Sequence, residues 1–347
     1  MFDFLEFLRN FDAAALTLRE QTRIDNRDTD ELIWDALFPR ADVDSIVLSE
    51  MRIPDYRPTA DRRNWDGDGR LIPLVSGDYK EWEMLPIGTY FTYGERHLTR
   101  LLENFQGNAD LVLNSLNARI PDRIETNVDA DYRRLELDAF NTWTKGEIDV
   151  VNPQTGTAQT VSLEIDPTRY PTEDWVSGNA YVAMLDAIND ADRALRGGVG
   201  GAVLTQEVLY KVRNDAATFL DVPRLTRTQL IDQFGSELGR DFSVRVESRT
   251  TEVFTGAGSA RTETRYMEPP YVAFVPQSQA IGVSAFAPIG RAYDYVQQTD
   301  NRVDVRGVSV FPEAKNNGKQ LKVETQLNAM PVPREGWTYV IDTGITG

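Results

Sequence analysis

The sequence contains no cysteine and only one histidine among its 347 residues. The absence of cysteine excludes disulfide bonds, thiolate zinc sites and cysteine nucleophiles, and it leaves the redox compartment undetermined. A single histidine excludes a two-histidine metal site and the HExxH motif, and it makes any catalytic triad depend on His97. Because His97 lies in the polar segment GERHLTR, we expect it to have a surface or capping role.

The sequence also lacks a long hydrophobic run. No window approaches the length of a membrane span, and the segment MFDFLEFLRNFD has neither the basic leader nor the apolar stretch of a signal peptide. We therefore expect a soluble product in the cytoplasm, with no membrane partner. The formal net charge of -17 disfavours general binding to nucleic acid, because neutralising phosphates requires clustered Lys and Arg.

The clearest secondary-structure signal runs from Pro121 to Gly146. Its apolar residues recur at three- and four-residue spacing, which predicts one face of a helix: Ile124, Val128, Tyr132, Leu135, Ala139 and Trp143. Pro121 suits a first helical position and Gly146 suits a C-cap, so both ends of the helix are marked. We expect the opposite face to be solvated, since it carries charged residues: Asp129, Arg133, Arg134, Glu136 and Asp138.

Two shorter helical patterns come first in the chain. Residues 2–18 have apolar residues at helical spacing, residues 20–30 are polar enough to be a linker, and residues 31–38 read as a short helix that Pro39 stops. Together they predict an arm with one apolar face. That face docks either on its own body or on a neighbouring subunit, and the sequence does not decide between the two.

A long polar segment follows the arm. After a strand pattern at 45–53, residues 54–80 hold three prolines, three glycines and many charges, and residues 81–93 are extended again. This pattern predicts a two-armed excursion that leaves the body and returns, and loops of this size are uncommon in compact domains unless they have a function. We interpret its basic residues and its tryptophan as candidate intersubunit contacts, with a solvated loop as the alternative: Arg57, Arg62, Arg63, Trp65, Arg70 and Lys80.

The rest of the chain mixes hairpins and helices. Hairpins are predicted at 147–165 and 242–267, a helix at 175–196, and a β-rich region at 301–342. The GGVGG segment at 197–201 is interpreted as a flexible connector after that helix. The mixture predicts an α+β chain whose strands form more than one sheet.

Known catalytic and binding motifs are incomplete. WDGDG at 65–69 resembles a fragment of a calcium loop without the remaining ligand spacing, and GGVGG lacks the Lys-Ser/Thr of a P-loop. Carboxylates are so numerous that choosing any one pair as an acid and base is uninformative. We therefore predict no catalytic residue, no cofactor site and no metal site, and a protein that is not an enzyme.

The order of these parts resembles the major capsid proteins of tailed bacteriophages, and is most similar to the lambda-type group of capsid protein E. LFPRADVDSIVLSEM at 37–51 is similar to the junction between arm and loop in that group. FSVRVESRTTEVFTGAGSARTETRYMEPPYVAFVP at 242–276 resembles its hairpin followed by a strand that a proline initiates. VRGVSVFPEAKNNGKQLKVETQLNAMPVPREGWTYVIDT at 305–343 resembles its closing strands.

The resemblance implies the Hong Kong-phage capsid fold, which belongs to the α+β class. In that family the axial domains meet around fivefold and sixfold axes, and an extended loop lies across the next subunit. The implied division is an N-terminal arm at 1–48, an extended loop at 49–92, a peripheral domain at 93–184 with a spine helix at 121–146, an axial domain at 185–312, and a C-terminal strand at 313–347 that returns to the peripheral domain.

The implied function is that of a major capsid protein. It would self-assemble through pentamers and hexamers into an icosahedral head shell, in the host cytoplasm, and become part of the virion. The implied partners are further copies of the chain, double-stranded DNA enclosed without sequence-specific binding, and scaffolding, portal and decoration proteins. Some members of the fold join a loop lysine to an asparagine, but lambda-type members lack this reaction, so we expect no cross-link from Lys80 to Asn316 or Asn317.

Three alternatives stay open at this point. An encapsulin-like bacterial compartment would use the same fold to enclose a cargo enzyme. A tail or baseplate component would form rings or tubes. From another class, a hydrolase with paired carboxylates would be a monomer or small oligomer with a deep cleft.

Overall fold

A computed structural model describes residues 12–26, 36–52, 78–151, 158–163, 169–254, 261–277, 280–292, 304–316, 320–334 and 336–346. No helix in these ranges is long and apolar enough to cross a membrane. The helices of the described residues are α1 (Ala13–Asp25), α2 (Glu95–Asn104), α3 (Ala109–Lys145), α4 (Ala180–Ala194), α5 (Gln206–Phe219) and α6 (Arg227–Leu238).

Strands lie between these helices and form several small sheets, which confirms the predicted α+β class. They are β1 (Arg40–Asp42), β2 (Val47–Arg52), β3 (Asp78–Glu83), β4 (Ile87–Tyr93), β5 (Glu147–Val151), β6 (Ala158–Ser162), β7 (Val199–Leu204), β8 (Ser243–Val246), β9 (Thr250–Phe254), β10 (Arg261–Arg265), β11 (Tyr271–Pro276), β12 (Gly282–Phe286), β13 (Ser309–Lys315), β14 (Gln320–Leu327), β15 (Ala329–Pro333) and β16 (Val340–Asp342). The larger sheets have the strand orders β16-β11-β7-β8, β13-β14-β4 and β1-β12-β15, and the pairs are β2-β3, β5-β6 and β9-β10.

The predicted helix at 121–146 is the C-terminal part of a longer helix. α3 has 37 residues and is about 55 Å long. The prediction that Pro121 opens a helix is wrong, because Pro121 lies inside α3 and Asn108 is the N-cap. A proline inside a helix costs about 3 kcal/mol, and burial of large apolar side chains before it offsets this cost: Val112, Leu116 and Ile120 are fully buried.

The predicted apolar face of α3 is buried. Every residue of the stripe is 4% exposed or less: Ile124, Val128, Tyr132, Leu135, Ala139 and Trp143. Gly146 closes the helix in the left-handed conformation, with φ of 70°, as its C-cap position predicted. The charged face, however, is not uniformly solvated. Glu136 and Asp138 are buried, because strands cover the helix on more than one side and arginines pair with both carboxylates.

The interpretation of GGVGG at 197–201 as a flexible connector is wrong. Its second half belongs to β7, which lies between β11 and β8 in the four-stranded sheet. A Cβ on Gly201 would lie 2.6 Å from the carbonyl oxygen of Ser243, and one on Gly200 would lie 3.0 Å from Cα of Gln277. These glycines are therefore required by the close approach of neighbouring backbone.

Two predicted elements have different bounds in the structure. The helix predicted at 175–196 begins at Ala180, because the side chain of Asn179 accepts hydrogen bonds from the N–H groups of Tyr181 and Val182. The hairpin predicted at 242–267 consists of β9 and β10 only. β8 instead pairs in parallel with β7 and extends the four-stranded sheet.

Two main cores support these elements. The first surrounds α3 and includes the inner face of the β13-β14-β4 sheet. The second lies between helices α4, α5 and α6 and the four-stranded sheet. Segment 313–347 contributes to both, because β14 pairs with β4 beside α3 whereas β16 pairs with β11.

Candidate functional site

The predicted contact residues lie mostly outside the described residues. This is so for Arg57, Arg62, Arg63, Trp65 and Arg70. Lys80 lies in β3, where its backbone is opposite Glu50 of β2. The intersubunit role of all six residues stays a prediction.

Two paired strands flank segment 53–77. β2 and β3 are antiparallel, from Val47 opposite Glu83 to Arg52 opposite Asp78. The Glu83 end is anchored to the body, because the side chains of Trp82 and Met84 are buried in a small core with Ile148, Leu163 and Met330. At about 3.3 Å per residue, the Asp78 end lies about 17 Å farther along the strand pair. Arg52 and Asp78, the described residues on either side of 53–77, therefore lie away from this anchor.

The N-terminal arm docks on its own body through α1. The side-chain amide of Gln21 donates to the carbonyl oxygens of Asp304 and Val308 at 2.8 and 2.9 Å and accepts from the N–H of Asp304 at 3.0 Å. The N–H of Val310 donates to the Thr17 hydroxyl at 3.1 Å. Residues 20–25 are thus helical, and their prediction as linker is wrong because Gln21 binds backbone groups of the body and Arg23 binds Asp129 of α3 at 2.8 Å.

An acidic cleft lies between α3 and the start of β4. Its volume is about 350 Å³, and the β5-β6 hairpin, β9 and β15 complete its walls. Five carboxylates and one arginine line it: Glu83, Asp131, Asp138, Asp149, Glu252 and Arg134. The remaining lining is largely apolar, and includes Leu85, Ile87 and Val150.

Asp131 is fully buried at the base of this acidic cleft. Its Oδ2 accepts a hydrogen bond of 2.6 Å from the Thr325 hydroxyl, whereas its Oδ1 has no hydrogen-bond partner in the described part of the chain. Burial raises the pKa of Asp131 to about 7. This carboxyl group therefore changes its charge near neutral pH, which an exposed aspartate does not.

Asp138 lies two turns farther along α3. Burial raises its pKa to about 6, against the opposing effect of Arg134, whose Nη2 lies 2.9 Å from Asp138 Oδ1. Arg134 also donates to the carbonyl oxygen of Asp149. The cleft thus holds two buried carboxyl groups and one cation that is shared between two acceptors.

Sequence reasoning missed Asp131 and assigned Asp138 to the solvated face. A usable signal was present. Asp131 follows Val128 by three residues and precedes Leu135 by four, and Asp138 follows Leu135 by three. Both aspartates therefore lie on the flank of the apolar stripe, next to the core, but this spacing does not by itself show that a carboxylate is buried.

A second buried ionic contact joins α3 to the strand region. Nη2 of Arg249 lies 2.8 Å from Glu136 Oε1 and 2.9 Å from Glu247 Oε2, and its guanidinium stacks 4.9 Å from the ring centre of Tyr266. Burial raises the pKa of Glu136, and the charge of Arg249 opposes that rise. Both carboxylates pair with Arg249, so this contact holds α3 against the strand region.

The described residues hold no group of three or more His, Asp or Glu side chains arranged to bind a metal ion. The acidic cleft instead presents carboxylates beside apolar side chains. That combination suits an organic cation, such as a guanidinium or ammonium on an aliphatic stem.

The fold of the chain is similar to a solved structure of a capsid protein. No protein-family model and no curated protein sequence matches the chain. A crystal structure described as the capsid protein of a prophage in E. coli CFT073 matches 90% of this chain and 92% of that chain, with a TM-score of 0.52 and 12% identity. A phage-related protein of Bordetella bronchiseptica RB50 matches 94% of this chain and 97% of its own, with a TM-score of 0.45 and 14% identity.

An encapsulin complex of Synechococcus elongatus PCC 7942 matches 88% of this chain and 85% of its own, with a TM-score of 0.42 and 11% identity. Of these three structures, the prophage capsid protein alone has a TM-score above 0.5, and it is the match that shows the fold. The chain therefore shares the α+β fold of that prophage capsid protein, in agreement with the predicted Hong Kong-phage capsid fold.

Proposed function

We propose that this chain is the major capsid protein of a tailed bacteriophage. Copies of it self-assemble through pentamers and hexamers into an icosahedral head shell that encloses double-stranded DNA. The observation that carries this proposal is the fold shared over 90% of this chain and 92% of the prophage capsid protein. Because both chains are covered nearly in full, the similarity includes the whole architecture and not one common domain.

The properties of the chain suit a container. A shell assembles through many weak contacts that dissociate when misplaced, and later contacts add strength. The long helix α3 supplies a stiff body, and the β2-β3 pair joins segment 53–77 to it. A net charge of -17 keeps the lining from holding DNA by phosphate contacts, so that the DNA moves freely during packaging.

The proposed division into domains is the one that the resemblance to the capsid family implies. The arm is 1–48, the extended loop 49–92, the peripheral domain 93–184, the axial domain 185–312 and the returning segment 313–347. Scaffolding, portal and decoration proteins are its proposed partners in addition to further copies. The work of this protein lies in its interfaces and not in a catalytic site, and its proposed location is the virion, after assembly in the host cytoplasm.

Expression of the full chain, alone and with its neighbouring genes, tests this function. We expect electron microscopy and sedimentation to detect closed shells, or rings of five and six copies. A compact monomer of 39.2 kDa under every condition would overturn the proposal. Extraction of the particle contents then distinguishes a DNA-filled head from a compartment that holds a cargo enzyme.

The excursion is tested by charge reversal. We expect Arg62→Glu with Arg63→Glu to reduce the yield and thermal stability of particles, because these arginines contact acidic groups of the next subunit. A matched control reverses Arg193, whose side chain is 80% exposed on α4. Unchanged assembly in the double variant would refute the contact. A denaturing gel of particles is expected to contain the monomer band only, because no cross-link forms.

A further inference from the structure

We propose that the acidic cleft between α3 and β4 binds a linear aliphatic diamine or polyamine, with one ammonium group at Asp131 and a second at the carboxylates of the rim. The inference goes beyond the proposed function and does not depend on it, because the cleft is formed within one copy of the chain.

The first observation is an unpaired polar atom in the lining of the cleft. Asp131 is 0% exposed, and its Oδ1 has no hydrogen-bond partner in the described part of the chain. Its other oxygen already accepts from the Thr325 hydroxyl at 2.6 Å. Buried polar atoms are nearly always paired, because a desolvated atom without a partner destabilises the fold. The cleft therefore lacks a donor at one defined position.

The second observation is the charge of the lining. Five carboxyl groups line the cleft, and Arg134 is the one cation among the described residues there. Arg134 is used at one end, since its Nη2 lies 2.9 Å from Asp138 Oδ1 and donates to the carbonyl oxygen of Asp149. Asp131 lies two turns before Asp138, about 10 Å away along the axis of α3. An added cation is therefore needed at the Asp131 end of the cleft.

The third observation is the apolar surface beside these carboxylates. Leu85, Pro86 and Ile87 line the cleft, as do Val150 and Val253. A metal ion would make no use of such side chains, whereas a methylene stem is buried against them while its ammonium head binds carboxylates. A volume of about 350 Å³ is at the lower end of the range for ligand sites, which suits a small linear molecule.

The depth of the carboxylates indicates more than one ammonium group. Asp131 is buried at the base, whereas Glu83 and Asp149 are exposed. A second ammonium at the other end of the stem would reach these outer carboxylates, where water weakens the ion pair. The ligand would then connect α3 to the segment before β4 and to the β5-β6 hairpin. By binding the folded chain alone, it would stabilise that chain.

Isothermal titration calorimetry of the unassembled full-length chain, at about pH 8, tests the proposal. The probes are putrescine, spermidine, the monoamine butylamine and magnesium chloride. We expect putrescine to bind about fivefold more tightly than butylamine, because its second ammonium adds an exposed ion pair. Magnesium binding as tight as that of putrescine would overturn the proposal, because it would show that the aliphatic stem contributes nothing.

Two variants of the cleft have matched controls elsewhere. Asp131→Asn removes the charge and is expected to weaken putrescine binding about tenfold. Leu85→Lys, at a position 43% exposed, supplies an ammonium of its own and is expected to weaken binding by a similar factor. Asp122→Asn on the exposed face of α3 and Val182→Lys on α4 are expected to change nothing. Wild-type affinity in both cleft variants would overturn the proposal.

The pH dependence separates binding at Asp131 from attraction to exposed carboxylates. Burial raises the pKa of Asp131 to about 7, and an ammonium binds the ionised form, so the affinity is expected to rise about tenfold from about pH 6 to about pH 8. Asp131→Asn is expected to lose most of this rise, since the pKa of Asp138 is raised only to about 6. The other charged groups around Asp131 are Arg134 and Asp138 on α3, Glu324 on β14, Glu83 before β4, Asp149 on β5 and Glu252 on β9.

The outcomes for this inference and for the proposed function are distinct. A chain that forms shells but binds no diamine above the controls overturns this inference and leaves the proposed function standing. A chain that binds putrescine through Asp131 but never forms shells supports this inference and overturns the proposed function.

Discussion

The effect of the substitution Asp131→Asn on stability is expected to depend on pH, and to become more favourable to the variant between acid and neutral pH. Asparagine has nearly the same shape and keeps an oxygen for the Thr325 hydroxyl, but it cannot ionise. In the wild type, burial raises the pKa of Asp131 from 3.8 to about 7. The folded chain therefore keeps a proton over this interval that the unfolded chain releases.

The sign of the pH dependence follows from proton binding. Since the folded state binds more protons than the unfolded state between about pH 4 and 7, the free energy of unfolding falls as the pH rises through that window. Stability from the protonated group is fully present below the unfolded pKa and is lost as the pH passes the folded pKa. A shift of roughly three pKa units corresponds to a loss of at most about 4 kcal/mol. Asp131→Asn avoids this loss.

Urea denaturation of the unassembled full-length chain, at about pH 5 and about pH 8, measures the effect. The difference in free energy of unfolding between Asp131→Asn and the wild type is expected to shift by about 2–4 kcal/mol in favour of the variant at the higher pH. For Asp138→Asn the corresponding shift in the free energy of unfolding is expected to be smaller and to occur at lower pH, because the pKa of Asp138 is raised only to about 6. Asp122→Asn, on the exposed face of α3, controls for loss of a surface charge. An equal difference from wild type at both pH values would refute the placement of Asp131.

Three further substitutions test the fold. Leu135→Asp places a charge where exposure is 0%, and we expect no soluble, folded chain; a normal circular dichroism spectrum would contradict this. Gly201→Ala is expected to lower the melting temperature, because its Cβ meets Ser243 backbone, whereas Gly290→Ala, with no atom within 4 Å, is the matched control. Gln21→Ala removes three hydrogen bonds and is expected to speed proteolysis of α1 while the body remains intact, and equal cleavage rates would show that α1 is held otherwise.

Local patterns predicted the parts of the fold that depend on one segment. The spacing from Ile124 to Trp143 identified the buried face of α3, and Gly146 marked its end. Both are properties of a helix and its cap, so they need no knowledge of distant residues. The order of the parts then predicted the capsid fold correctly.

Features that depend on distant residues were missed. Pro121 is a good first residue when only its neighbours are considered, and its interior position follows from burial on both sides of it. The glycines of GGVGG are required by Ser243 and Gln277, which lie far along the chain. Likewise, Asp131 became a candidate only when the strands covering α3 were known, because charge alone predicts exposure.

The pairing of early strands with late ones governs when the molecule becomes stable during synthesis. β1 pairs with β12, β4 with β14 and β11 with β16. Arg40 therefore cannot pair until Ser284 has been synthesised, and Tyr93 cannot pair until Leu321 has been synthesised. At about 5–20 residues per second, each wait lasts roughly 10–50 s on the ribosome. During that interval the unpaired edges of β1 and β4 are open to mispairing with other nascent chains. The yield of native chain therefore depends on folding kinetics. Lower growth temperatures and co-expressed chaperones are expected to raise this yield before any shell forms.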